Sequence, residues 1–185
     1  MAWMGEVFKA QLVENRLIVW NPEEGRRLYS LGYYGKPLGI SKPKSADFNV
    51  PLILDLLEGF YLAEKGVLKV YANGEELSLT QLRRRALKTY KDFRLKYQVY
   101  RDLRDKGLIV QPGIKFGCDF AVYKQGPGLD HAPYLVQVRK ARELVDAADL
   151  VRSGRLATTV RKRFIIALPK PKGQIQYLIF KWWKP

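Results

Sequence analysis

The second half of the sequence alternates between strand-like and helix-like segments, and this alternation limits the fold more than any other feature. Short apolar runs typical of strands occupy residues 108–111, 114–123, 133–139, 164–168 and 175–183. One helix is predicted at 146–162, and an earlier helix is predicted by an apolar stripe at Phe93, Tyr97, Tyr100 and Leu103. Strands and helices in this order predict an α/β domain with a mixed sheet.

The first half predicts a smaller α/β domain. Its elements are, in chain order, a hairpin at 6–13 and 16–20, a helix at 51–65 and a strand at 67–71. Ser78 and Gln81 have the spacing of a capping box, which begins a helix through the basic stretch LRRRALK.

A domain boundary is expected near residues 89–92. It gives an N-terminal α/β domain at 1–89 and a C-terminal domain at 90–185. The N-terminal domain contains a loop rich in Gly, Pro and Lys at 30–49 (SLGYYGKPLGISKPKSADFN).

The charge of the chain predicts a polyanionic partner. The formal net charge is +15, and residues 108–185 alone carry 14 Lys/Arg against 5 Asp/Glu. Such a balance favours nucleic acid or an anionic membrane. The sequence has no run of 18 apolar residues and no helix that combines a basic face with exposed Trp or Phe. Nucleic acid is therefore the preferred partner, and no membrane is expected.

Cysteine usage and the N-terminus point to the cytoplasm. Cys118 is the only cysteine, so no internal disulfide can form. The first residues lack the charged-then-apolar plan of a signal peptide. We expect an intracellular, cytoplasmic protein.

Three polar residues of the second half are candidates for chemistry. Tyr123 ends the strand KFGCDFAVY, whose apolar face should pack on a helix, so the tyrosine is expected on the opposite, polar face. His131, the only histidine, lies in the loop that follows. Lys162 closes the predicted helix 146–162, where helical spacing places it on one face with Arg155. Spacing alone does not join these residues into a site.

Residues 90–185 resemble the catalytic domain of the archaeal and eukaryotic tRNA-splicing endonucleases, in particular the crenarchaeal type. The matching segments are YQVYRDLRDKGLIVQPGIKFGCDFAVY, DHAPYLVQV and LVRSGRLATTVRKRFIIAL. In that family a Tyr ends the strand after the KFG segment, a His precedes a YLV strand, and a Lys closes the following helix. The corresponding residues here are Tyr123, His131 and Lys162. The first half fits more loosely, through GFYLAEKGVLKV.

The resemblance implies a restriction-endonuclease-like fold and metal-independent cleavage of precursor tRNA at bulge-helix-bulge splice sites. The products are a 2′,3′-cyclic phosphate and a 5′-hydroxyl. Tyr123 would be the base for the attacking 2′-hydroxyl, His131 the acid for the leaving 5′-oxygen, and Lys162 the cation at the charged phosphorane. A nearby ammonium would favour the tyrosine phenolate. No cofactor and no metal are expected.

The resemblance also implies a clamp for a flipped bulge base. The family uses an arginine with a second cationic or aromatic residue near the C-terminal end. Here Arg155 is the arginine, and either Trp182 or Trp183 is the aromatic partner. The strand pattern does not choose between the two tryptophans.

Two loops bear on RNA binding and assembly. The loop 30–49 looks like the lysine-rich insertion of crenarchaeal members, and its Lys36, Lys42 and Lys44 are candidates for phosphate binding.

Many self-assembling members carry an acidic docking loop where this chain has PKPKGQ at 169–174, with two lysines and no acid. A second, structural subunit would then supply the acids, in a heterotetramer of two plus two chains. It would also cover the apolar edge strand 175–183.

Two other functions remain open from the sequence. A metal-dependent nuclease needs clustered carboxylates, whereas only Asp119 and Asp130 lie near the candidate residues. The second alternative is a non-catalytic or structural RNA-binding subunit of the same complex. Retention of Tyr, His and Lys together argues against it, because structural subunits of the family tend to lose them.

Overall fold

The polypeptide divides into two structural units, one that ends at Phe93 and one that begins at Arg94. The structure is a computed structural model that describes residues 5–40, 43, 45–129 and 132–180. Each unit combines a mixed sheet with helices, so the predicted α/β class is confirmed. The domain bounds 1–89 and 90–185 stay a prediction. In the described part of the chain, no helix has the length and apolarity needed to cross a membrane.

The first unit is built on a six-stranded sheet. Its strands are β1 (Phe8–Val13), β2 (Arg16–Val19), β3 (Lys36–Pro37), β4 (Leu52–Asp55), β5 (Leu68–Ala72) and β6 (Glu75–Glu76). They lie in the order β3-β4-β2-β1-β5-β6. Only β1 and β5 are parallel, and β1 and β2 form the predicted hairpin.

Three helices complete this unit, and each begins at a polar side chain. They are α1 (Pro22–Ser30), α2 (Leu56–Glu64) and α3 (Leu79–Thr89). Asn21, Asp55 and Ser78 are their N-caps. The predicted capping box is confirmed, since Ser78 Oγ accepts from Gln81 N at 3.3 Å and Gln81 Oε1 accepts from Ser78 N at 2.8 Å.

The segment 51–65, predicted as one helix, is a strand followed by a helix. Leu52 and Leu54 are fully buried where β4 pairs with β2. The alternation of these two leucines marks a strand. Asp55 then forms a capping box with Glu58, and this cap begins α2.

The lysine-rich loop is held at both ends. At one end β3 pairs with β4, and the buried Glu58 carboxylate accepts a hydrogen bond from Gly35 N at 3.2 Å. At the other end Phe48 is buried, and its carbonyl accepts from Arg26 Nη1 at 2.9 Å. The loop is therefore attached to its unit both at β3 and at Phe48.

The second unit is built on a five-stranded sheet. Its strands are β7 (Ile109–Pro112), β8 (Phe120–Tyr123), β9 (Tyr134–Val138), β10 (Arg163–Pro169) and β11 (Ile175–Phe180). They lie in the order β11-β10-β9-β8-β7, with β9 and β10 parallel and the other pairs antiparallel.

Helices α4 (Phe93–Asp105) and α5 (Ala147–Thr159) contact opposite faces of this sheet. Tyr100 of α4 packs against Phe120, with ring centroids 5.9 Å apart. Ala157 of α5 belongs to a buried cluster with Ala121, and Tyr123 packs against this cluster. The expected polar face of β8 is therefore apolar. The prediction was wrong because both faces of the strand are covered.

Two further predicted elements are shorter than expected. The strand 114–123 is a 3₁₀ turn at Ile114–Phe116 followed by β8. Gly117, with a φ of 64°, separates the two, a left-handed conformation that glycine adopts without strain. The helix predicted at 146–162 ends at Thr159, so Arg155 and Lys162 do not share a helix face.

Candidate active site

Strand pairing brings the end of β8, with Tyr123, and the start of β10, next to Lys162, to either side of the start of β9 at one end of the second sheet. Tyr123 ends β8, and Val122 beside it pairs with Tyr134, the first residue of β9. Arg163, which directly follows Lys162, pairs with the same Tyr134 from the other side. The end of β8, the approach to β9 and the approach to β10 are therefore neighbours.

Contacts with Ala132 and Phe116 help to hold Lys162 at this end of the sheet. Its Nζ donates a hydrogen bond to the carbonyl oxygen of Ala132 at 2.7 Å. The same Nζ lies 5.4 Å from the centroid of the Phe116 ring, which is a cation–π contact. Because Ala132 is the residue after His131, the ammonium is bound to the backbone that leads to the histidine.

The end of α5 positions the backbone of Lys162. Arg161 N donates to Thr158 O at 2.9 Å, and Lys162 N donates to Ala157 O at 2.7 Å. These two bonds form a Schellman motif with Arg161 in the left-handed conformation, at a φ of 55°. Gly66 and Gly107 take the corresponding position after α2 and α4. At the end of α5, by contrast, a non-glycine residue adopts the unfavourable left-handed backbone conformation directly beside Lys162.

Tyr123 is half-buried at the edge of the α5-side core. It packs, like Phe116, against the buried cluster that includes Ala121, Ala132 and Ala157. A half-buried phenol is partly shielded from water, and electrostatic interactions are stronger there than in bulk solvent.

His131 and Asp130 lie outside the described residues. The described chain resumes at Ala132, which is 2% exposed and part of the core cluster. Pro133 O then accepts a hydrogen bond from Arg163 N at 2.8 Å. Ala132, the residue after His131, is therefore fixed in the core. The role of His131 stays a prediction.

Asp119 lies at the far end of the β8–β9 ladder from Tyr123. Its carboxylate forms an ion pair with Lys96 Nζ at 2.7 Å and accepts from Gln137 Nε2 at 2.9 Å and Val138 N at 2.8 Å. This carboxylate is a structural group that joins α4 to the sheet. Across the described ranges, no three His, Cys, Asp or Glu side chains are grouped so that they could hold a metal ion.

Cys118 is a second reactive residue type near the site, and its environment makes it inert. It is 9% exposed, and burial, with a smaller effect of the neighbouring Asp119 charge, raises the pKa of the thiol to about 11. A nucleophilic cysteine needs the opposite shift. Cys118 is therefore a core residue.

Two of the remaining predicted RNA contacts are among the described residues. Arg155 is exposed on α5, and Lys36 is exposed on β3 in the first unit. Four of the predicted residues lie outside the described part of the chain, namely Lys42, Lys44, Trp182 and Trp183.

A groove of about 510 Å³ lies beside α5, lined mainly by apolar side chains of α5, β10 and β11. Lys162 is part of its wall. The groove therefore adjoins the candidate site, and its described lining residues include no carboxylate, histidine, cysteine or tyrosine.

Sequence reasoning missed Phe116 and Arg161. The predicted strand 114–123 puts Phe116 on an apolar strand face, whereas the residue lies in a 3₁₀ turn with its ring under the Lys162 ammonium. Arg161 carries no sequence signal for a helix end, because glycine is the usual residue there. A strand beginning directly after Lys162 was the one available indication that the helix had to stop earlier.

Comparison with protein families supports both units. The model of the tRNA intron endonuclease catalytic C-terminal domain matches residues 93–177, and that of the tRNA intron endonuclease N-terminal domain matches residues 8–83. The N-terminal match contains all six strands of the first sheet, and the C-terminal match contains α4 and the second sheet as far as Tyr177 in β11.

Similar proteins cover almost the whole chain. A tRNA-splicing endonuclease of Hyperthermus butylicus is 51% identical over 181 residues, 97% of this chain and 100% of that protein. Proteins of the same name from Sulfurisphaera tokodaii and Saccharolobus islandicus are 44% and 45% identical over 94% and 95% of this chain, and 98% of each of those proteins is covered. The chain therefore belongs to the tRNA intron endonuclease family.

Proposed function

We propose that this chain is a catalytic subunit that cuts precursor tRNA at the two ends of an intron, at bulge-helix-bulge splice sites. The observation that carries the proposal is the bond from Lys162 Nζ to Ala132 O, which joins the lysine to the backbone next to His131. Strand pairing brings the end of β8, with Tyr123, to the same place. Membership of the family and the match of its catalytic-domain model supply the substrate class.

The proposed reaction is an internal transfer at the scissile phosphate. Tyr123 accepts the proton of the 2′-hydroxyl, whose oxygen forms a new bond to phosphorus. The bond from phosphorus to the 5′-oxygen breaks, and His131 donates the proton that this oxygen needs. The products are a 2′,3′-cyclic phosphate and a 5′-hydroxyl.

Lys162 would stabilise the negative charge that develops on the phosphorane. Its ammonium is half-buried and already fixed by Ala132 O and the Phe116 ring. A charge that is preorganised in a partly water-excluded place stabilises a transition state more than a mobile, solvated one does. The same ammonium would lower the cost of forming the Tyr123 phenolate.

We propose further that cleavage needs no metal beyond RNA folding. The ionic and hydrogen-bonded partners of Asp119, at the far end of β8, support this proposal. A prefolded minimal substrate in excess chelator tests it. Loss of cleavage, with recovery on Mn²⁺ addition, would show that a metal takes part in the chemistry.

The proposed base clamp consists of Arg155 and one of the two C-terminal tryptophans, Trp182 or Trp183. The exposure of Arg155 on α5 supports it. Arg155→Ala should reduce the preference for bulged over unbulged RNA. Arg152→Ala is the matched control, because Arg152 lies on the same helix and pairs with Asp149 at 3.5 Å. An unchanged preference in the Arg155 variant would reject the clamp.

The lysine-rich loop would add phosphate contacts through Lys36, Lys42 and Lys44. Replacing the three by glutamine should raise the substrate concentration needed for half-maximal rate and leave the saturating rate unchanged. A reduced saturating rate with unchanged binding would contradict this role.

The proposed assembly is a heterotetramer of two catalytic and two structural subunits. β11 is the last strand of its sheet, and three of its apolar side chains, those of Leu178, Ile179 and Phe180, are 38–50% exposed. Such an edge favours pairing with another chain. Mass measurement in solution and the activity of the purified chain test the proposal. Full cleavage of precursor tRNA by this chain alone would overturn it.

The central experiment is single-turnover cleavage of an intron-bearing precursor tRNA by the full chain, alone and with a candidate partner subunit. His131→Ala and Lys162→Ala should each slow cleavage by roughly 10² or more, with little change in RNA binding. Lys115→Ala is the matched control, because Lys115 Nζ also lies over the Phe116 ring, at 5.7 Å, but is exposed. Rates near wild type in either active-site variant would overturn the role assigned to that residue.

A further inference from the structure

The basic stretch of α3 has no role in the proposed reaction. Arg83, Arg84 and Lys88 are exposed on this helix, and we call them the α3 basic face. Leu82 and Ala86 are buried and attach the helix to its unit. Helical spacing places Arg84 and Lys88 one turn apart on the side opposite these two residues. The cations therefore project away from the core of the first unit.

The α3 basic face is not neutralised by neighbouring acids. The helix contains four Lys/Arg and no Asp/Glu, and no described carboxylate forms an ion pair with Arg83, Arg84 or Lys88. Some exposed cations elsewhere do have a carboxylate partner, for example Arg27 with Glu6 at 2.9 Å and Lys69 with Glu76 at 3.0 Å. Like charges one turn apart repel each other, so the helix is less stable without an anionic partner than with one.

The helix is also fixed in its unit, so the cations sit on a rigid frame. Arg85 Nη2 donates to Glu14 O at 2.7 Å, and Thr89 Oγ1 donates to Asn15 Oδ1 at 3.1 Å. Both bonds join α3 to the turn of the β1–β2 hairpin. Together with the Ser78 cap, they hold the helix at both ends.

We propose that the α3 basic face is a second RNA-binding surface, which contacts the phosphates of the precursor tRNA through the N-terminal unit. The identity of the RNA rests on the proposed function. The helix has no aromatic residue on which a base could stack, so the contact is to the phosphodiester backbone and independent of base sequence. A protein partner is disfavoured, because charged residues are depleted from the centres of protein interfaces.

The expected signature is the salt dependence of binding. Each phosphate contact contributes about 0.7–0.9 to the slope of log K against log salt concentration, so loss of three contacts should lower the slope by about 2. Binding at about 0.1 M salt should weaken by about tenfold or more. The cleavage rate at saturating enzyme should not change, because these residues touch none of the reacting atoms.

The test compares two triple variants of the full chain. One replaces Arg83, Arg84 and Lys88 by glutamine. The control replaces three cations that have carboxylate partners, Arg27, Lys69 and Arg101, by glutamine. Each variant lowers the net charge by three, so a general field effect acts equally on both. Binding is measured by salt titration with a precursor tRNA that carries a 2′-deoxynucleotide at each splice site, which removes the attacking hydroxyl.

A slope reduced by about 2 in the α3 variant, with little change in the control, supports the proposal. Equal effects in the two variants, or none in either, overturn it. Normal RNA binding together with loss of the assembled mass of the complex would assign the face to a protein partner and also overturns it. The deoxy substrate reports binding without cleavage, so this test does not depend on activity. A wild-type chain that binds ordinary precursor tRNA but never cuts it would refute the proposed function, and the binding test of the α3 basic face could still be interpreted.

Discussion

Replacing Phe116 by leucine should slow RNA cleavage while the protein stays folded. The Phe116 ring lies under Lys162 Nζ at 5.4 Å and packs, half-buried, against the α5-side core. Leucine keeps an apolar side chain at this place but has no ring to attract the ammonium. The change therefore removes the cation–π contact of the lysine and leaves its bond to Ala132 O.

The size of the effect follows from the strength of the lost contact. A cation–π interaction contributes about 0.5–1 kcal/mol at exposed sites and about 2 kcal/mol when desolvated. The half-buried ammonium lies between these limits. If the whole contact serves to position Lys162, the cleavage rate should fall by about 2- to 30-fold. The free energy of unfolding should fall by less than about 1.5 kcal/mol, as for other swaps between apolar residues of similar size.

Single-turnover cleavage of precursor tRNA measures the rate, and Phe116→Tyr is the control that keeps an aromatic face. A double-mutant cycle separates positioning from packing. In a Lys162→Ala background, Phe116→Leu should have no further effect on the rate, because its effect acts through the lysine. Equal rate losses in both backgrounds, or a Phe116→Tyr variant as slow as Phe116→Leu, would refute the reasoning.

Three further predictions concern stability and reactivity. Arg161→Gly should raise the free energy of unfolding by about 0.5–1 kcal/mol, because glycine adopts the left-handed conformation of this position without strain. Urea titration measures this, and a lower urea midpoint would contradict the Schellman assignment. At pH 8 the Cys118 thiol should react with iodoacetamide far more slowly in the folded chain than in urea. In the folded chain the thiol is buried and its pKa is raised to about 11. Fast labelling of the folded protein would contradict this prediction. Burial and the hydrogen bond to Asp102 raise the pKa of Tyr177 in the folded chain. Above about pH 10 the unfolded chain therefore loses the phenol proton before the folded chain does, and the free energy of unfolding falls as pH rises. Tyr177→Phe should flatten this decline, and an alkaline stability profile identical to wild type would contradict the prediction.

The elements that the sequence predicted well are those with local signals. The Ser78 capping box and the β1–β2 hairpin are set by residues close together in the chain, and the structure has both. The apolar stripe from Phe93 to Leu103 is buried on α4 as its spacing predicts. Local hydrogen bonds and periodicity were enough in these places.

The features that the sequence did not predict depend on contacts between distant residues. The Ala121 and Tyr123 side of β8 is apolar because α5, far along the chain, packs on it. The position of Lys162 depends on an arginine in a conformation that usually selects glycine, and on the Phe116 ring far earlier in the sequence. Residue order suggested which side chains to consider, but the contacts that hold the lysine follow from tertiary packing alone.

The anchoring of the lysine-rich loop limits the reach of its side chains. Segment 38–47 leaves the sheet at β3 and returns at Phe48, whose carbonyl is bound by Arg26. Full extension from either anchor carries the middle of this segment no further than about 18 Å. The loop is thus a short tether with two attachment points, and a phosphate within that radius meets its lysines at a high effective concentration. A phosphate farther away than this backbone reach plus the length of a lysine side chain is out of range whatever its charge. Lengthening the segment with glycine and serine would widen the radius and lower the effective concentration of the lysines. The number of residues between the anchors, rather than the number of lysines, therefore limits how distant a phosphate the loop could reach.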